Sequence, residues 1–320
     1  MKKILTVLGL TLLIFSNHIA AQEKVDETLA VSPEARVFID NMRGKVELIA
    51  HEKEEIRVVG KLDEKTERFI FEERGNGIHI NVETPQTSGF NFMSDDSEGS
   101  DLKIYLPASM DIQANGVSMD VIANELTGGL EVRLVSGDIK VTKIAKRVLL
   151  KTVSGDIKAK GLDGAVRFET VSGDLTDLDN SAKTATYQSV SGDITVHSDT
   201  IEELTVQSVS GDIDTHIGSL RKGKMTTVSG DAKLIARLSE NARLEASSVS
   251  GDLTFKWVGD IHANFDIQSN AGGEINNRLS DDKVSEAEWG PSSTLEFTMG
   301  DGSADVSATT VSGEITLDRN

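Results

Sequence analysis

Val135-Ser136-Gly137-Asp138-Ile139 returns as Val153-Ser154-Gly155-Asp156-Ile157 and again as Val171-Ser172-Gly173-Asp174-Leu175. Further copies begin at Val190, Val209, Val228 and Val249, and a last one, Val311-Ser312-Gly313-Glu314-Ile315, stands near the C-terminus. The aspartates fall at 138, 156, 174, 193, 212, 231 and 252, at intervals of 18, 18, 19, 19, 19 and 21 residues. A fixed period near 20 is the mark of a solenoid, in which each unit buries its apolar face against the next.

The residue types decide which solenoid. The units are rich in Val, Ile, Thr and Leu with alternating polarity, and Ser-Gly-Asp interrupts each one, so a helix is disfavoured. Val153, Gly155, Ile157 and Ala159 read as the inward face of one strand, with Ser154, Asp156 and Lys158 outward. A second strand precedes each phrase with the opposite parity, as at Leu130/Val132, Val148/Leu150 and Val166/Phe168. A bend or bulge is therefore expected near Leu134, Thr152, Thr170, Ser189, Ser208 and Thr227. The fold expected is all-β: a parallel β-solenoid, a single-stranded β-helix with coils of 18 to 19 residues.

Around these coils the chain is less regular. Residues 1–21 read as a signal peptide: Lys2 and Lys3, an apolar run over residues 4–15, then Ile19-Ala20-Ala21 before Gln22. The run is short for a bilayer span, and no second apolar stretch follows, so an exported chain without an integral membrane span is expected, periplasmic or secreted. Residues 31–129 read as an irregular N-terminal β cap with the first coils, because an open coil end would expose core and unpaired backbone. Strand-like runs there include Arg36-Val37-Phe38-Ile39, Glu55-Ile56-Arg57-Val58-Val59 and Arg68-Phe69-Ile70-Phe71. Thr84 to Gly99 reads as a loop, and Val117-Ser118-Met119-Asp120-Val121 as a degenerate copy of the phrase. Residues 130–258 are the regular coils, and 259–320 are C-terminal coils with a polar insertion.

Composition narrows function. There is no Cys in 320 residues, which removes disulfide frameworks, thiolate metal sites and cysteine nucleophiles. The formal charge is −19, and loss of Lys2 and Lys3 makes it 31 − 52 = −21. Such a chain offers no basic footprint to nucleic acid.

With these features the chain resembles the bacterial putative-adhesin family of domain-of-unknown-function proteins, exported or membrane-attached β-solenoids with serial V-S-G-D-I phrases. The resemblance also rests on Asn41-Met42-Arg43-Gly44-Lys45-Val46 and on the segment Leu102 to Pro107. It implies a β-solenoid associated with the cell envelope.

Stacking in register would align Asp138, Asp156, Asp174, Asp193, Asp212, Asp231 and Asp252 as a column of carboxylates. One reading is a hard cation, calcium, held between coils. The favoured reading is that each Asp caps backbone amides at the bend or is solvated, with no cofactor. His197 and His216 each follow a column aspartate by four residues; with Asp193 and Asp212 they could hold zinc or copper, but spacing fixes no third ligand. The serine column (Ser136, Ser154, Ser172, Ser191, Ser210, Ser229, Ser250) has no matching histidine and reads as hydrogen-bonding turns, not nucleophiles.

The function expected is non-catalytic: a rigid rod presenting a repetitive acidic face to an envelope or extracellular protein or glycan. The alternative is a polysaccharide-processing β-helix enzyme, a lyase or hydrolase. Few aromatics stand ready to stack sugars, and Trp257 and Trp289 are the only tryptophans.

Overall fold

A computed structural model describes residues 22–85 and 98–320. The proposed signal peptide and most of the expected Thr84–Gly99 loop lie outside the described residues. The described chain is built of strands, most of them paired in parallel.

Each regular coil contributes two strands. Leu130–Ser136, Val148–Lys151, Val166–Glu169, Thr184–Gln188 and Glu203–Gln207 stack in one column of parallel pairs. Ile139–Thr142, Ile157–Lys160, Leu175–Leu178 and Ile194–Ser198 stack in a second. The core lies between the two columns. Val132, Leu150, Phe168, Tyr187 and Val206 enter it from one side, and Ile139, Ile157, Leu175, Ile194 and Ile213 from the other. A third apolar contribution comes from the far corner of the coil, at Ile144, Leu162 and Ile201. The solenoid inferred from the repeat is the solenoid observed.

One detail of the strand reading is corrected. The phrase valine does not face the core with its isoleucine. Val135, Val153, Val171, Val190, Val209, Val228, Val249 and Val311 are between 38% and 51% exposed. The residue before each valine is buried instead, as at Leu134, Thr152, Ser189 and Thr310. Two inward residues five apart, Leu134 and Ile139, require a break in the two-residue alternation. That break falls at the Val-Ser pair, where both residues face outward, as at Val190 and Ser191, so alternation extended backward from the isoleucine assigns the valine to the wrong side.

At both ends, order in space departs from order in the chain. The segment 36–49 lies between the strand Ile112–Asn124 and a rung made by Gly77–Glu83 and Ser100–Pro107. Beyond that rung run antiparallel strands, Arg68–Arg74 on Gly77–Glu83 and Glu55–Lys61 on Ser100–Pro107. At the other end, Ala304–Thr310 and Ile315–Arg319 slip between the preceding coil and the strands Ala263–Ser269 and Ile275–Asn277. The last copy of the phrase is thus last in sequence but penultimate in space. The spatially last copy is Ala271-Gly272-Gly273-Glu274-Ile275, which sequence reading passed over because only Gly and Ile match.

Candidate functional site

The stacked Val-Ser-Gly-Asp corners are the surface that distinguishes this molecule, and each position has its own physical task. The valine carbonyl accepts the serine N–H of the next coil, as in Ser154 to Val135, Ser191 to Val171 and Ser229 to Val209, each 2.9 Å. The glycines let successive corners nest. A Cβ on Gly192 would stand 1.8 Å from the Gly173 carbonyl oxygen, and one on Gly211 2.0 Å from that of Gly192. Similar distances recur at Gly155, Gly173, Gly230, Gly251 and Gly313, so no other residue fits without moving backbone.

The aspartate closes the corner. One carboxylate oxygen, Oδ1, accepts the backbone N–H of the aspartate in the next coil. The series runs from Asp120 through Asp138, Asp156, Asp174, Asp193, Asp212, Asp231 and Asp252 to Glu314, at 2.7–3.1 Å. At the phase break that N–H has left the strand ladder, and the side chain below supplies its acceptor. The ladder resumes one residue later, where Ile139 N–H donates to the Asp156 carbonyl at 2.9 Å.

The repulsion along a carboxylate column is relieved by these donors and, at one coil, by a cation. Lys158 Nζ donates to Asp156 at 2.9 Å and holds its carboxyl below the usual carboxylate range, aided by the Asp174 N–H. Most of the column remains solvent-exposed on its other side. His197 and His216 are register partners with ring centroids 5.9 Å apart, in an edge-to-face arrangement. Among the described residues, no group of three or more His, Asp or Glu side chains is placed to hold a metal ion.

The structure adds a buried cluster absent from the sequence reading. Asp177 occupies an inward position flanked in register by Ala159 and Val196. It is fully buried; Tyr187 Oη and Asn180 Nδ2 each donate to its Oδ2 at 2.6 Å. Its Oδ1 has no hydrogen-bond partner. Burial pushes the Asp177 carboxyl up to about 6 against the lowering effect of those two donors. The available signal was parity, since Leu175 and Asp177 share one face of a strand.

Two further features bear on ligands. Trp257 is buried against Phe255 and Phe265, so it is core and not a sugar platform, whereas Trp289 is 88% exposed at the tip of a hairpin. A cavity of about 250 Å³ crosses the first coils and is lined in part by Arg36, Phe38, Gln113, Glu131, Lys146 and Arg147.

Comparison with known families gives one match: the family described as Toastrack DUF4097, over residues 35–318. No curated protein matches this chain. Among solved structures, the chain is similar to a "putative adhesin" from Bacteroides fragilis, at 12% identity over 93% of this chain and 99% of that one, with a TM-score of 0.36. A "putative cell adhesion protein" from Clostridium sporogenes is 10% identical over 93% and 100%, with a TM-score of 0.21. A "putative lipid binding protein" from Parabacteroides distasonis is 13% identical over 92% and 96%, with a TM-score of 0.38. Similarity at this level specifies no function for the present chain.

Proposed function

This chain belongs to the Toastrack DUF4097 family, and from that premise we propose that it is an exported, non-catalytic rod of the cell envelope, periplasmic or secreted. It binds by presenting a repetitive acidic face to an envelope or extracellular protein or glycan. The observation that carries the reading is the uniform corner. The same Val-Ser-Gly-Asp geometry, with the same Asp-to-Asp amide bond, repeats along the rod. A reaction centre needs one place that differs from its neighbours, with acid, base and stabilising donor converging. A regular column instead suits an extended or multivalent partner, with basic or cation-bridged groups favoured by the charge. Adhesion to such a partner is one form this binding takes.

Two measurements test it. Fractionation with mass analysis should find the chain outside the cytoplasm, beginning at Gln22. Incubation with a panel of envelope polysaccharides, basic, neutral and (with a divalent cation present) acidic, should give retention on some without release of fragments. A cytoplasmic, full-length chain defeats the export claim; fragment release defeats the non-catalytic claim in favour of a lyase or hydrolase.

A further inference from the structure

Ten large apolar side chains are exposed among the described residues: Met42, Trp289 and the eight phrase valines. All but Trp289 fall on one line. Val117 N–H and Ser118 N–H both donate to the Met42 carbonyl, as Val153 N–H and Ser154 N–H both donate to Val135, so Met42 and Val117 are the first rungs of the valine series. The order along the rod is Met42, Val117, Val135, Val153, Val171, Val190, Val209, Val228, Val249 and Val311. Ten rungs at ~4.8 Å make an apolar rib roughly 43 Å long.

We propose that this rib is a self-association surface, along which two copies of the rod lie side by side and parallel. Three observations select a second copy. The first is pitch. Valines that interdigitate over the whole length need a partner with the same ~4.8 Å repeat, and this chain carries one. A lone β-strand cannot dock there by sheet extension, because the strands hydrogen-bond along the rod and the rib offers only side chains.

The second is area. The rib and its two flanking columns form a strip about 13 Å wide, hence roughly 560 Å² per copy, near the lower limit for a specific interface. That extent is long for a solvent-exposed apolar feature on a monomer and implies a weak, reversible pairing.

The third is charge, and it fixes direction. One flank of the rib is the serine column of the phrase, exposed at Ser154, Ser172, Ser191, Ser210, Ser229 and Ser250, with the aspartate column beyond it. The other is the outward column of the preceding strands: Arg133, Lys151, Glu169, Gln188, Gln207 and Thr226. A twofold axis along the rod sets each aspartate column against the partner's other flank, so Asp138 meets the Arg133 level and Asp156 the Lys151 level. A twofold axis across the rod sets aspartates against aspartates. The parallel arrangement joins opposite charges at the levels of Val135 and Val153 and mostly neutral groups after them, with Glu169 the exception; the antiparallel one sets the two aspartate columns against each other along their whole length and leaves Arg133 and Lys151 opposite neutral groups.

The test uses the mature full chain, and the inference does not depend on the envelope partner proposed above. Sedimentation at roughly 0.2 mM should show a reversible dimer. Lysine at two central rungs, Val190→Lys with Val209→Lys, should shift dissociation at least tenfold toward monomer and leave the thermal melt at low concentration unchanged. Thr184→Lys, away from the rib, should leave association as it is. Since the chain has no cysteine, a single label at Ser118→Cys reads direction. Parallel pairing gives a short label-to-label distance, and antiparallel pairing roughly 34 Å. A wild type monomeric at that concentration overturns the proposal, as does a dimer unaffected by the paired lysines. A 34 Å distance overturns the parallel assignment. Binding of an apolar dye by a monomeric wild type would assign the rib to another occupant.

Discussion

The middle of the rod and its two ends follow one stacking rule with opposite relations to the chain. In the middle, every corner rests on the corner 18 to 21 residues before it, so reading the sequence is reading the stack. At the ends, a segment distant in sequence is inserted between two others: 36–49 at one end and 304–319 at the other. The inserted segments still obey the local fit. Glu314 N–H takes the Asp252 carboxylate 62 positions away at 2.7 Å, and a Cβ on Gly313 would meet the Gly251 carbonyl at 2.2 Å. The comparison teaches that a rung's place is set by corner complementarity rather than chain order. It also shows how an edge is stopped. Past each inserted rung the outermost strands run antiparallel, as with Ser293–Met299 on Ala263–Ser269, and a further parallel coil has no template to continue.

Removing the inserted strand should have the largest effect. Deleting residues 311–320 takes away part of a penultimate rung, not a terminal one, and opens a gap between Leu253–Trp257 and Ile275–Asn277, which both pair with the lost strand. Trp257, buried in the intact chain, should become wet. The expected outcome is a red-shifted tryptophan emission, dye binding, and loss of protection in residues 253–310 while the central coils persist. An unchanged spectrum would mean that the last strand is an ornament.

Glycine substitution separates the same regions at a smaller scale. In the middle, Gly211→Ala drives a methyl to within 2.0 Å of a backbone oxygen, and the loss should be about 3 kcal/mol or more. At the N-terminal cap, Gly75 has φ +67, and a methyl added there would meet nothing within 4 Å, so Gly75→Ala should cost only ~1 kcal/mol of backbone strain. Denaturant melts of the two variants check the ratio.

What the sequence made readable follows the same division. The period, the two strands per coil and the aspartate column were legible because each rests on nearest-neighbour repetition. The outward valine was not, since a β-branched apolar residue beside an alternating strand reads as core until the Val-Ser phase break is located. The inserted coil was not, since nothing local states that Glu314 follows Asp252 in space. Asp177 was legible in principle: parity with Leu175 pointed it inward, and only the habit of treating aspartate as surface concealed it.

Asp177 yields a pH prediction confined to the middle of the rod. Its folded pKa, about 6, lies above the ordinary 3.8, so between those values the folded state holds the extra proton. Stability therefore falls as pH rises through that window, by about 3 kcal/mol from this group, and stays at the lower level above it. Asp177→Asn keeps an acceptor for Tyr187 and removes the buried charge. It should raise stability at pH 7.5, leave it nearly unchanged at pH 4, and flatten the profile between them. A variant whose profile parallels the wild type from pH 4 to 7 would locate the titration elsewhere.

The smallest expected effect concerns the carboxylate column. Each Oδ1 is already occupied by a backbone N–H, so its structural task is acceptance and not charge. Asp212→Asn preserves an acceptor and relieves repulsion from Asp193 and Asp231; it should be neutral within about 0.5 kcal/mol, whereas Asp212→Ala orphans the Asp231 N–H and should cost about 1 kcal/mol. Millimolar calcium should raise the melting temperature no more than matched ionic strength does, because with Oδ1 taken by the next coil each aspartate offers one free oxygen per coil, well short of the six to eight oxygens calcium takes. A calcium-specific rise, abolished by Asp212→Asn, would reverse the order of roles and make the column a metal ladder that the coils happen to cap.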